Sequence, residues 1–292
     1  MLFKFLIGFF IVAGVILTAW LVVDYLRNKE KDYPGKKYAL AYVIGFIVNF
    51  FDVLGIGSFA PTMALYRICK MDVPDRKLGP TMNVGVGTVV MLEAILFLSS
   101  VKVDLLTFAC IEIAAVVGAF LGSRLIKVVN VRTIRLIMGI GLMLAAVLML
   151  LNKASIIPTD GTLTGLRGWK LILITCTGVV MGGATVFGVG SYAPTLALVY
   201  ILGMNPICAF PIMTTLGSLA SGTAMLNALK DGDYVRKPAF ATMVAGFAGV
   251  IVAYALVRSM PLTVLTWVVI VAVIYAGVSL LTAVVRKGAS ED

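Results

Sequence analysis

Gly55 to Leu65 reads GIGSFAPTMAL, and Gly188 to Leu198 reads GVGSYAPTLAL. Carried to the next residue, eight of twelve positions are identical at a constant offset of 133. Three of the others exchange like for like: Ile56/Val189, Phe59/Tyr192 and Met63/Leu196. The chain is a duplication, and whatever this stretch does, it does twice.

The first copy sits in the middle of an apolar block from Tyr38 to Cys69. As one helix this block would be about 48 Å long, too long for a hydrocarbon core of about 30 Å. Gly55, Gly57 and Pro61 also break it. The second block, Trp169 to Leu202, is broken by Gly188, Gly190 and Pro194. Each block therefore reads as two half-length helices. Simpler apolar spans are expected at 78–98, 103–124, 132–151, 207–229, 238–257 and 262–285. Phe3 to Val23 is apolar, too long for a signal-peptide core and without a small-x-small cleavage site before the charges that follow. It reads as an uncleaved spanning helix with no partner in the second half.

Composition agrees with these runs. Of 292 residues 61% are hydrophobic and only 13% charged, about half the charged fraction of a soluble domain. This is an all-α polytopic membrane protein, with the lipid bilayer as a partner and the cell membrane as its expected place. The net charge of +10 does not indicate nucleic acid, because the basic residues sit at the ends of apolar runs. There is no histidine, and the four cysteines form no CxxC pair. No metal, cofactor or catalytic residue is expected, and with no HExxH and no evident nucleophile–base pair the chain does not read as an enzyme.

Basic residues also decide the topology. If each broken block is a re-entrant hairpin, the inner segments are 27–37, 67–77, 124–135, 230–237 and 286–287. They carry 18 of the 24 lysines and arginines. If each block crosses once, the split is 14 to 10, a much weaker asymmetry. The re-entrant reading gives an N-terminal helix and basic linker (1–37), a first repeat (38–151), an external loop (152–168) and a second repeat (169–287). The inner segments and the C-terminus are then cytoplasmic. Each repeat is a re-entrant or broken-helix hairpin plus three transmembrane helices. That odd number forces the repeats into inverted topology. In this plan the site lies between the two breaks.

Gly55, Gly57, Ser58, Pro61 and Thr62, with Gly188, Gly190, Ser191, Pro194 and Thr195, are the candidate substrate-binding positions. Serine and threonine four apart share a helix face. A half-helix N-terminus offers free N–H groups and partial positive charge, and so suits a small oxyanion. The alternative reading is tight helix packing through small residues. Thr214, Thr215 and Ser218 lie on the helix after the second hairpin, and aligning Pro80 with Pro211 puts Asn83 in the place of Thr214. These would complete a cavity wall, or serve as interhelical hydrogen bonds. Asp52, Glu93 and Glu112 fall in apolar surroundings, where an ionised group is costly. They are the candidates for proton coupling, with a structural hydrogen bond as the plainer role. The second repeat has Thr185 in the place of Asp52.

The paired GxGS[FY]APT hairpins, the downstream Pro80 and Pro211 helices and the duplicated four-segment layout resemble the TauE/SafE family, also called the 4-toluenesulfonate uptake permease family. The resemblance spans roughly 38–286. It implies secondary transport of sulfite or an organosulfur anion, with export as the direction. It carries over Gly55, Gly57 and Pro61 and their mates Gly188, Gly190 and Pro194. The chain departs from the glycine-richer break of many relatives at Ser58-Phe59 and Ser191-Tyr192, and in its N-terminal helix. Rival readings are a passive anion channel of the same fold and a non-transport membrane scaffold. A homo-oligomer through the lipid-facing Phe3–Val23 helix is a further expectation.

Overall fold

The structure, a computed structural model, describes residues 2–28, 33–125, 131–154, 161–186 and 191–288. Among these, eleven α-helices and one short 3₁₀ turn carry the chain. In order they are α1 (Leu2–Arg27), α2 (Gly35–Val53), α3 (Phe59–Ile68), α4 (Asp75–Ser100), α5 (Leu105–Leu125) and α6 (Val131–Lys153). Then follow α7 (Trp169–Val186), α8 (Tyr192–Ile201), the 3₁₀ turn Pro206–Cys208, α9 (Ala209–Asp231), α10 (Arg236–Ser259) and α11 (Leu262–Gly288). Helices α1, α4, α5, α9, α10 and α11 include stretches long and apolar enough to cross a membrane; α6 contributes the shorter apolar run Arg135–Leu151. The protein is a multi-pass helical membrane protein.

The two broken blocks are α2–α3 and α7–α8. Helix α2 stops because Gly55 turns left-handed (φ +90°). Its N–H donates to Asp52 O at 2.8 Å and that of Ile56 to Phe51 O at 3.2 Å, the paired bonds of a Schellman ending. Gly57 is again left-handed (φ +84°), and α3 begins two residues later. Ten residues are too few for a stable helix alone, so α3 depends on what it packs against, through the buried Thr62 and Tyr66. The ends of each hairpin meet. Lys37 at the start of α2 pairs with Asp72 beyond α3 at 2.5 Å, and Lys170 at the start of α7 donates to Leu202 O beyond α8 at 2.9 Å.

By packing, the chain divides into two compact units that are not the two repeats. The first joins residues 1–100 to 217–259, the second 101–216 to 260–292. In the first unit α2 packs along α10, α4 packs on α10, and α1 covers α4. In the second, α5 packs along α7 and α6 along α11. Each hairpin's first helix therefore lies against the second transmembrane helix after the other repeat's hairpin.

The two seams are the same seam. In the first unit a Cβ on Gly45 would stand 2.6 Å from Thr242 Cα, one on Gly246 2.7 Å from Asn49 Nδ2, and one on Gly249 2.5 Å from Phe46 O. An offset of 133 for the hairpin and of 131 for the second transmembrane helix after it turns these pairs into Gly178/Ile111, Gly182/Ala115 and Val179/Gly118. Those are the close approaches found in the second unit. Duplication preserved backbone-to-backbone contact as well as the motif.

The polar ends of each unit gather loops distant in sequence. In the first unit Arg236 and Tyr234 hold Asp24 at 2.7 and 2.5 Å. Arg76 and Lys77 reach Asp233 at 3.3 and 3.2 Å, and Val235 N–H donates to Thr81 Oγ1 at 3.0 Å. In the second unit Asp104 caps α5 by accepting from Thr107 N–H at 2.9 Å. Arg167 grips the same carboxylate with two bonds, at 2.8 and 2.9 Å, the fork-to-fork geometry that fixes orientation. Arg167 is the main reason the Asp104 carboxyl is held well below the usual carboxylate range; partial burial opposes it and Thr107 adds to it.

Candidate functional site

The first hairpin break is closed by Asp52. Its carboxyl is buried in the last turn of α2 and lies beside the backbone N–H and the hydroxyl of Ser58. Ser58 is the residue that opens α3, and its own side chain does not cap that helix. A carboxyl from the preceding helix thus stands next to the N-terminal donors of α3, where the helix dipole favours negative charge. Pro61 is the third residue of α3, in the turn where N–H groups have no helical acceptor. The Thr62 hydroxyl points back along its own helix and donates to Ser58 O at 2.6 Å.

The second break repeats part of this arrangement. Ser191 opens α8, and Pro194 is again its third residue. The Thr195 hydroxyl donates to Ser191 O at 2.8 Å, with Met181 Sδ at 3.5 Å. Gly188 and Gly190, and the side chain of Thr185, lie outside the described residues. In both hairpins the threonine proton is thus spent inside the helix, and the threonine oxygen remains an acceptor only.

Of the residues placed on the following helices, Thr214 donates to Phe210 O at 2.6 Å and Ser218 to Val90 O at 2.8 Å. Thr215 is buried, and its hydroxyl has no hydrogen-bond partner among the described residues. Asn83 is half-buried on α4. Asp52, Ser58, Thr62, Asn83, Glu93 and Ser218 belong to the first unit. Ser191, Pro194, Thr195, Thr214, Thr215 and Glu112 belong to the second.

Two of the three acids acquire a definite setting. In the first unit α2, α4 and α10 run in the same direction and meet in layers. Gly45, Gly85 and Thr242 form one layer; Asn49, Val89 and Gly246 form the next. One turn further lie Asp52 on α2 and Glu93 on α4, before Phe97 meets Tyr254 at 5.2 Å between ring centres. Glu93 is fully buried. Glu112, in the second unit, is buried with neither oxygen hydrogen-bonded among the described residues. No group of three or more histidine, cysteine, aspartate or glutamate residues able to hold a metal occurs among the described residues.

Sequence reasoning missed Thr88, buried on α4 with a hydroxyl that has no partner among the described residues, and the Tyr66–Thr242 hydrogen bond of 2.9 Å. The signal for Tyr66 was present, since its mate in the second copy is Val199. A difference between repeats marks what only one of them does.

A family model described as the sulfite exporter TauE/SafE matches residues 1–149, half of the chain. The chain belongs to the TauE/SafE family. No curated protein and no solved structure matches it. The TauE/SafE match differs in extent from the sequence expectation of 38–286: it starts at residue 1, so α1 lies inside it, and it ends with the first repeat. The TauE/SafE family is described as one of sulfite exporters, membrane transporters rather than enzymes.

Proposed function

We propose that the chain is a secondary transporter of a small sulfur-containing anion, sulfite or an organosulfonate, working by alternating access between two inverted hairpins and coupled to protons through Asp52. Export as its direction follows the TauE/SafE family description. The observation that carries the reading is the buried carboxyl of Asp52 beside Ser58 at the start of α3. A half-helix N-terminus next to an oxyanion from its own chain has the donors and the field for another. While ionised, Asp52 competes for those donors. A proton on Asp52 removes the charge and releases Ser58, so that proton and substrate bind together. The second hairpin carries Thr185 at that position, and Ser191 opens α8 as Ser58 opens α3. Gly55, Gly57, Gly188 and Gly190 let the anion approach the backbone. Asn83 and Ser218 are the further binding positions of the first unit and Thr214 and Thr215 those of the second; the Thr215 hydroxyl has no partner among the described residues. Glu93 and Glu112 are the further carboxyls through which protons can be held.

The test is sulfite flux in proteoliposomes with and without an imposed pH gradient. Wild type should show saturable flux driven uphill by the gradient. The Ser58→Ala, Ser191→Ala double mutant should lose roughly tenfold or more, the effect of removing hydrogen bonds to a charged group worth about 1.5–3 kcal/mol each. Asp52→Asn, which cannot gain a proton, should lose the response to the gradient. Wild-type flux indifferent to any pH gradient would instead mark a passive channel of the same fold, and absence of flux for every sulfur oxyanion would reject the substrate class.

A further inference from the structure

We propose that protons reach Asp52 from the basic end of the first unit along one side of α2, through Tyr25, Tyr38, Tyr42, the Tyr66–Thr242 pair and Asn49. The proposal rests on the transport reading above and adds to it the path and the end from which protons enter.

The path starts where the loops of the first unit gather. Tyr25 at the end of α1 and Tyr38 at the start of α2 share a hydrogen bond of 3.1 Å, and Tyr38 and Tyr42 one of 3.0 Å. A tyrosine hydroxyl both donates and accepts, so a row of them can take a proton at one end and release one at the other. Three residues beyond Tyr42 is Gly45, whose backbone lies on Thr242. The Thr242 hydroxyl is bonded to Tyr66. Four residues beyond Gly45 is Asn49, fully buried. Its Nδ2 donates to Gly45 O at 2.7 Å, while its Oδ1 has no partner among the described residues. It is a buried acceptor placed between the hydroxyls and the acid. Asp52 follows three residues later. Tyr38 to Tyr42 and Asn49 to Asp52 are each one helical turn, about 5–6 Å between β-carbons, a gap that a single bridging water spans; Tyr42 to Asn49 is two turns, and the Tyr66–Thr242 pair stands beside Gly45 between them.

The seam's own duplicate shows that packing does not require these groups. The counterparts of Tyr38, Tyr42, Asn49, Asp52 and Tyr66 are Leu171, Thr175, Gly182, Thr185 and Val199. The α5–α7 seam nevertheless makes the matching close approaches, with Gly178 on Ile111 and Gly182 on Ala115. The polar groups are an addition to one copy of a seam that closes without them, and they end at the one hairpin carrying an acid. On the helices packed against α2, the other ionisable groups are Arg67 on α3, Asp75, Arg76, Lys77 and Glu93 on α4, and Arg236, Lys237, Tyr254 and Arg258 on α10. All but Glu93 lie toward helix ends. Glu93, one turn past Val89, is therefore the second acid the path can serve.

The experiment compares two readouts on reconstituted full-length protein with sulfite as probe. One is accumulation driven by a pH gradient; the other is sulfite–sulfite exchange at equal pH, which needs no net proton movement. Tyr42→Phe and Tyr66→Phe should each slow driven accumulation by roughly tenfold, as expected for loss of a proton-transfer group, and leave exchange unchanged. Thr175→Val, the mate of the Tyr42 position, should alter neither. Equal losses in both readouts would reveal a packing role and overturn the path, as would no loss in either. Wild type without exchange would reject the transport reading itself. The path is then judged by infrared spectroscopy: deuterium should enter the Asp52 carboxyl more slowly in Tyr42→Phe than in wild type, and equal rates would overturn it.

Discussion

Lys70 holds a left-handed backbone (φ +48°) just past α3, and its mate beyond α8 is Gly203 (φ +88°). Both positions end a helix in the same way. Met71 N–H reaches Tyr66 O at 2.9 Å, and Met204 N–H reaches Val199 O at 3.0 Å. A side chain in that conformation costs about 1 kcal/mol, so Lys70→Gly should raise the unfolding temperature in detergent by the equivalent of that amount. Asp104 gives a pH-dependent counterpart. Its folded-state pKa is lowered, so its contribution is complete above the unfolded value of about 3.9 and fades as the pH falls from there toward the folded value. Asp104→Asn keeps a competent helix cap and removes the negative charge that Arg167 pairs with. It should therefore lower stability at neutral pH, with the difference narrowing in thermal melts below about pH 4. Single residues were also where the sequence was hardest to read. Asp52 was visible as an acid before the motif, but its place beside Ser58 depends on the path taken through two left-handed glycines. The hydroxyls of Thr62 and Thr195, chosen as ligand donors for their shared face, turn inward to the carbonyl four residues back.

At the scale of helices the hairpins were legible, because a broken apolar block has too much length for one crossing and too many glycines for one helix. The seams were not, because no local pattern says which distant helix a glycine face will meet. Gly249 on Phe46 and Gly118 on Val179 are mates, and Gly249→Ala and Gly118→Ala should each cost about 1–3 kcal/mol by overpacking backbone. Gly141, in α6, has open space where its β-carbon would go. Gly141→Ala should gain about 1 kcal/mol from helix propensity. Thermal unfolding of all three variants checks the contrast. Helix α1, read from sequence as an addition of open role, is joined to α10 by the Asp24–Arg236 pair and by Tyr25 stacked on Phe240 at 4.3 Å. That explains why the family match includes it, and why an apolar helix with only Phe10, Leu17 and Leu21 buried keeps a fixed place.

Over the whole molecule, the expected topology rests on the basic-residue count, because lysine and arginine record which side a loop was left on. The inverted plan makes a prediction for side-specific cysteine labelling. Positions 70 and 235 should react from one side of the membrane, and position 163 from the other. Labelling of 70 and 235 from opposite sides would reject it. The exchange of these second transmembrane helices, α5 and α10, has a consequence for how the halves depend on each other. A lone half of this chain would leave its hairpin's glycine groove uncovered, and the helix that fits the groove is the one carried by a second half. Either half alone is thus expected to need a partner chain, and joining the halves replaces association between two chains with association within one. Residues 1–151 and 169–292, produced as separate polypeptides in the same cell, should find each other and copurify, whereas either one alone should not accumulate.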